Sequence, residues 1–194
     1  MRKLTRADVK DIIQYERIRN DFRARIIVLK KARRVEVGSI ITFVFEDRDT
    51  VLFQIEEMMR AERIVHEERI AEELAVYNEL IPSANELSAT MLIEITDQRK
   101  IKPTLDKMMG IDKGKKVWLQ FGQERVYALF EEGHSNEVKI SAVHFVRFKF
   151  TSQQSRRFRS GEDIVYLHVD HPNYKRRLRL TEAVLKSLRA DLSE

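Results

Sequence analysis

Residues 37–82 read VGSIITFVFEDRDTVLFQIEEMMRAERIVHEERIAEELAVYNELIP. The first ten, Val37 to Glu46, are apolar on both alternating faces, which is the pattern of a strand buried on both sides. Glu46-Asp47-Arg48-Asp49 then forms a turn, and Thr50 stands where a helix needs its N-cap. Ile55, Met59, Ile70, Leu74, Tyr77 and Ile81 follow at helical spacing, and Pro82 ends the pattern. The centre of the molecule is therefore a buried strand feeding a long acidic helix of ~30 residues. Arg60 to Glu73 is thin in apolar side chains, so a bend or break is expected there.

Upstream, Thr5 and Asp8 have capping-box spacing. Val9, Ile12, Ile13, Ile18, Phe22, Ile26 and Leu29 then mark the apolar face of a basic amphipathic helix, an N-terminal arm over residues 1–34. Downstream come a strand at Leu87 to Thr96, a short helix at 104–109 closed by Gly110, and strands at Lys116 to Phe121, Arg125 to Glu132 and Val138 to Phe150. Gly122 and Gly133-His134-Ser135-Asn136 supply turns, so these last three form a meander. A short basic helix around Ser155, a strand at Ile164 to Asp170 and a helix capped by Thr181 complete the chain. The expected class is α+β: one domain over 1–194, with a body at 35–194 of about six mostly antiparallel strands packed with helices.

The net charge of +5 conceals segregation. Residues 1–34 carry +8, residues 35–97 carry −11 and residues 98–194 carry +8. An acidic middle between basic ends suits pairing within the fold or between subunits as readily as a polyanion. Cysteine is absent, which removes disulfides, zinc fingers, iron–sulfur ligation and thiolate nucleophiles and fits a reducing compartment. The first residues lack the apolar run of a signal peptide, and no stretch approaches the roughly 20 apolar residues of a spanning helix. A cytoplasmic location away from membranes is expected.

No haem, iron–sulfur or nucleotide motif is present, and no cofactor is required. Gly110-Ile-Asp-Lys-Gly114-Lys115-Lys116 has three residues between its glycines where a phosphate loop has four, and Lys116 stands in place of the metal-binding hydroxyl. On the acidic helix, Glu62 and His66 lie four apart, Glu73 lies seven further on, and Gln54 and Glu57 sit a turn or two earlier. Such a face could hold an oxygen-loving metal or an acid–base pair, although Arg63 breaks the di-iron Glu-x-x-His spacing. The plainer reading is a solvated face laced with ion pairs. On the strand ending His168-Val-Asp170-His171-Pro172, His168 and Asp170 face one way and His171 lies at the strand end, so two imidazoles and a carboxylate could make most of a metal site or a His oriented by an Asp, or Asp170 could simply cap a turn.

The candidate polar cluster is thus Glu46, Gln54, Glu57, Glu62, His66, Asp170 and His171, with His168 added for a metal. Arg156, Arg157 and Arg159 form one basic patch with Lys175, Arg176, Arg177 and Arg179. Nucleic acid is disfavoured as a partner, because no aromatic-rich exposed strand pair is evident beside the patch. The stripe His144, Val146, Phe148 and Phe150 reads as core, and Arg147 within it requires a carboxylate partner.

Several blocks taken together resemble a known family: Phe45-Glu46-Asp47-Arg48-Asp49-Thr50, Gln54 with Glu57-Met58 and Glu62-Arg63, Tyr77-Asn78-Glu79-Leu80-Ile81-Pro82, Glu86-Leu87 with Ala89-Thr90 and Glu94-Ile95, Phe145-Val146, and Asp170-His171-Pro172-Asn173-Tyr174. Over nearly its whole length the chain is similar to the bacterial family called domain of unknown function 3501. His144 and Arg147 stand where the family pattern has Gln and His. The resemblance implies no activity and assigns no residue a role. It implies a neighbourhood of rubrerythrin-like proteins and iron–sulfur oxidoreductases, hence a redox or oxidative-stress setting. Three functions follow as expectations: a non-catalytic binding or accessory protein with a protein partner or a second copy of itself; a small metal-dependent enzyme using Asp170 and His171 with helix carboxylates; and an RNA-binding protein using the Arg clusters.

Overall fold

The apolar run at 37–46 contains the end of one strand, a turn and a second strand. β1 (Arg34–Val37) and β2 (Ile41–Glu46) pair antiparallel around Gly38, whose φ of 79° is the left-handed conformation that glycine adopts freely. These elements come from a computed structural model that describes residues 1–131 and 140–192. The expected turn at Gly133–Asn136 lies outside the described residues.

The acidic segment folds as two helices. α2 (Arg48–Glu62) is capped by Asp47, which accepts from the Thr50 N–H while Thr50 Oγ1 accepts from the Asp47 N–H, a reciprocal box. Arg63 takes φ 53° and stops the helix, and α3 (Glu67–Asn78) restarts four residues later. Thr50 therefore belongs to the first turn, not to the cap. Ile55, Met59, Ile70 and Leu74 are all buried, as their spacing requires.

The basic segment forms a capped 3-10 turn at Arg6–Asp8 and then α1 (Ile12–Lys31), with its own N-cap at Asp11. Tyr15, Phe22 and Ile26 are its buried residues, whereas Ile13 is 70% exposed. Phe22 and Ile26 belong to the expected stripe, and Tyr15 joins them by filling the α1–α2 interface through its hydroxyl as well as its ring.

The remaining elements are β3 (Glu86–Ile93), α4 (Gln98–Lys107), β4 (Val117–Phe121), β5 (Glu124–Phe130), β6 (Val143–Lys149), α5 (Ser152–Ser160), β7 (Val165–His171), β8 (Tyr174–Arg179) and α6 (Glu182–Asp191). The class is α+β. Among the described residues, six helices surround eight antiparallel strands in the order β1-β2-β3-β6-β5-β4-β7-β8. β4, β5 and β6 form the meander. The two strands beyond the expected six are β1, merged with β2 in the apolar run, and β8, whose sequence Tyr-Lys-Arg-Arg-Leu-Arg lacks a strand's apolar alternation.

The sheet curls until its edge strands meet, leaving a nearly closed barrel. Its seam is fastened by the Tyr174 hydroxyl, which donates to the Val37 carbonyl at 2.6 Å. An eight-stranded barrel has an interior that side chains can just fill. Phe43, Phe45, Met91, Leu119, Val146, Phe148 and Leu167 fill it, each essentially without exposure. Phe158 of α5 packs edge-on against Phe121 and Phe150, with centroids 5.3 and 5.4 Å away. Among the described residues, no helix is long and apolar enough to cross a membrane.

Candidate functional site

The acidic helices meet the basic N-terminal segment through ion pairs. Arg19 grips Glu57 with both ends of its guanidinium, at 2.6 and 2.9 Å, and the Tyr15 hydroxyl donates to the same carboxylate at 2.6 Å. The Arg19 bond leads in holding the Glu57 carboxyl below its ordinary range, while burial leads in raising the Tyr15 hydroxyl well above its own. Arg60 pairs with Glu16 at 2.5 Å and Arg6 with Glu67 at 2.8 Å. Much of the charge segregation in the sequence is therefore satisfied inside the fold.

Glu46 is 2% exposed on the outward side of β2 and accepts from Thr50 Oγ1 (2.6 Å), Thr90 Oγ1 (2.7 Å) and Gln54 Nε2 (3.2 Å). These bonds pin α2 to the sheet. Glu62 and His66 are exposed at the helix break, with His66 at the N-cap position of α3 and making no side-chain cap. Glu56 is buried. One of its oxygens accepts from the Lys10 N–H, the other has no partner among the described residues, and burial raises its carboxyl above the ordinary value.

On β7, alternation sends Asp170 and His171 to opposite faces. His171 is buried, its Nε2 meets the Met109 carbonyl at 3.0 Å, and its Nδ1 accepts from the Asn173 N–H at 3.3 Å. Both ring nitrogens are thus engaged in holding the β7–β8 turn against the chain after α4. Asp170 faces out and pairs with Lys175 at 3.1 Å. Among the described residues, no three His, Asp or Glu side chains converge to hold a metal. Arg147 has the carboxylate its setting requires: it donates to Glu86 at 2.9 Å.

A different surface emerges from the strand register. Outward positions of β5, β4, β7 and β8 line up in two rows, Tyr127–Trp118–His168–Arg177 and Arg125–Gln120–Tyr166–Arg179. Trp118 and His168 stack, with centroids 4.7 Å apart and planes 9° from parallel. Tyr127 lies 5.9 Å from Trp118, and Tyr166 lies 6.1 Å from His168. Cations rest on this aromatic set: Arg125 over Trp118 at 5.5 Å, Arg177 over Tyr166 at 5.4 Å and Lys115 over Tyr127 at 5.1 Å. Burial leads in lowering the affinity of His168 for a proton, and Arg177 and Arg125 add to the effect. The imidazole therefore stacks as a neutral ring.

Among the described residues, no carboxylate forms an ion pair with Arg125, Arg177 or Arg179. The basic patch from the sequence divides around this face. Lys175, Arg177 and Arg179 share its outward side, whereas Arg176 lies over Tyr174 at the seam. On α5, Arg157 is held by Asp163 at 2.6 Å, and Arg156 and Arg159 are exposed. Sequence reasoning passed over Trp118, Tyr127, Tyr166 and His168 as a set because they come from three strands. The available signal was the alternation in Val-Trp-Leu-Gln-Phe (117–121) and Val-Tyr-Leu-His-Val (165–169).

Comparison with known proteins agrees with the resemblance drawn from the sequence blocks. A crystal structure from Burkholderia pseudomallei K96243, described as a novel protein of unknown function, superposes with a TM-score of 0.91 at 33% identity, covering 98% of this chain and 100% of that one. No curated protein matches the chain. The family model described as "Protein of unknown function (DUF3501)" matches residues 3–192, and the chain belongs to that family.

Proposed function

We propose that this is a non-catalytic cytoplasmic binding protein that uses the outer face of β5, β4, β7 and β8 to hold an anionic partner. The observation that carries this reading is the cation-capped aromatic lattice. Arg125, Arg177 and Arg179 have no ion-pair partner among the described residues, and they surround rings that are only partly buried. A fold that needed these arginines only for solubility would gain little from aligning them with Trp118 and Tyr166. Charge placed over ring faces instead suits recognition, where aromatic residues and Arg are the usual anchors. The acidic helices are compatible with the reading, since Glu57 and Glu67 are already paired with Arg19 and Arg6 of the N-terminal segment and do not reach the arginines of the sheet face. A protein from a redox or oxidative-stress system, rubrerythrin-like or an iron–sulfur oxidoreductase, is the partner that the family resemblance implies, and poly-glutamate stands for an acidic one in the test below.

Trp118 is the single tryptophan of the chain, so its emission reports on this face alone. The protein would be titrated with three anionic polymers: a single-stranded oligonucleotide, inorganic polyphosphate and poly-glutamate. Binding to at least one, with a change in Trp118 emission that is lost in the folded Arg125→Gln/Arg177→Gln/Arg179→Gln variant, is the expected result. Indifference to all three would overturn the reading.

A further inference from the structure

We propose that the ligand of this face is a single-stranded nucleic acid, with bases stacked on Trp118 and Tyr166 and phosphates held by Arg125, Arg177 and Arg179. The inference rests on the reading of this face as a binding surface and assigns the class of polyanion. Three features of the face favour a single strand over other anions.

The first is the pairing of ring faces with cations that have no ion-pair partner among the described residues. Arg125 lies over Trp118 and Arg177 over Tyr166, at 5.5 and 5.4 Å from the ring centroids. A base stacked on an aromatic side chain contributes more than a cation over a partly exposed ring does. Exchanging the guanidinium for a base is therefore favourable, and the released guanidinium is well placed to meet the adjoining phosphate. Poly-carboxylate surfaces satisfy the arginines but leave the rings unused. A duplex also satisfies the arginines, but its bases are already stacked and offer the rings nothing.

The second feature is the shape of the charge. Asp170, the one carboxylate aligned with the rows on β7, is paired with Lys175 at 3.1 Å, so little repels a phosphate chain crossing the strands. The third is Gln120, which lies between Arg125 and Tyr166 in the second row. Its carboxamide carries both donors and acceptors, so it can meet base edges of different kinds. Neutral His168, flat against Trp118, extends the stacking surface without adding a charge.

The test is fluorescence anisotropy of a labelled single-stranded oligothymidylate of about twelve nucleotides, a length within the usual span of such sites. Duplex of the same length, inorganic polyphosphate and poly-glutamate serve as competitors. The expected result is that the single strand binds more tightly than any competitor, with a log–log salt slope near −2 between about 50 and 200 mM salt, as three phosphate contacts require. Arg177→Gln, at an exposed position, should reduce that slope by about 0.7. Trp118→Leu and Tyr166→Leu should each weaken binding about tenfold, whereas Trp118→Phe, which keeps a ring, should stay within about threefold of the parent. Thermal melting of each variant separates loss of binding from loss of fold. Competition by duplex or polyphosphate equal to that by the single strand would overturn the nucleic-acid assignment while leaving an anion-binding face. Stronger competition by poly-glutamate would overturn it in favour of an acidic protein. Failure of every polymer to bind would remove the face itself as a binding site.

Discussion

The outward positions of one continuous sheet are used in two ways. Across β2, β3 and β6 the rows are Glu46–Ser88–Arg147 and Val44–Thr90–Phe145, and α2 and α3 lie over them. Across β5, β4, β7 and β8 the rows are aromatic and cationic, and every residue in them is half-exposed or exposed. Under the helices the sheet's charged side chains Glu46 and Arg147 have specific partners, because a buried charge without one costs several kcal/mol. Glu46 has three donors there, and Arg147 has Glu86. On the bare half Arg125, Arg177 and Arg179 have no carboxylate among the described residues, which water permits. The covered half is specified by pairing within the chain, and the bare half is the surface proposed to pair with something outside it.

The largest effect that would break this comparison sits beneath the covered half. Arg33 is 1% exposed and joins three elements: it donates to the Phe45 and Glu46 carbonyls on β2, and it pairs with Asp191 on α6 at 2.5 Å and with the Asp47 cap of α2 at 3.2 Å. Arg33→Met removes the buried guanidinium that pairs with Asp191 and Asp47 and should cost about 3–5 kcal/mol in urea unfolding. Arg177→Gln on the bare half should change the same measurement by less than about 0.5 kcal/mol. Equal costs would erase the distinction between the halves.

At the seam, Gly38→Ala should cost about 2 kcal/mol or more. Its φ of 79° is unfavourable for a side chain, and the new Cβ would collide with the Tyr174 hydroxyl. Tyr174→Phe removes the bond to the Val37 carbonyl without adding bulk and should cost about 1 kcal/mol. A larger loss for Tyr174→Phe than for Gly38→Ala, read from thermal melting, would show that the hydroxyl and not the close approach sets the seam.

The smallest effect is a pH dependence of the bare half. His168 faces Trp118, Tyr166, Arg125, Arg177 and Asp170, and its pKa in the folded protein lies below the ordinary value near 6.5. Below about pH 6.5 the unfolded chain then binds more protons than the native one, so stability declines as pH falls through that window and is flat above it. His168→Gln should flatten the profile of melting temperature between about pH 7.5 and 5. An unchanged slope would show that His168 is not held neutral by its neighbours.

Much of the fold was legible in the chain. The capping spacings at Thr5–Asp8 and Thr181, the helical stripe from Ile55 to Leu74 and the meander from Lys116 onward all follow from local chemistry. The stop at Arg63 was visible only as a thin apolar stretch, because a single left-handed residue leaves no fixed signature. β8 was hidden because an edge strand facing water on one side carries Lys175, Arg177 and Arg179 there. The candidate carboxylates were legible as residues but not as roles: Arg19 and Tyr15, which occupy Glu57, lie 38 and 42 positions away. The aromatic face depended on register between strands that are distant in sequence, and no local pattern encodes register across β5, β4 and β7.

The most direct test of the account is a chemical-shift map of the protein titrated with single-stranded oligothymidylate. The account predicts that the Trp118 indole and the backbone amides of Tyr127, Trp118, Gln120, Tyr166, His168 and Arg177 shift together and saturate together, while α2 and α3 stay unmoved. Shifts concentrated on Glu57–His66, or scattered over every basic surface including α5, would contradict it.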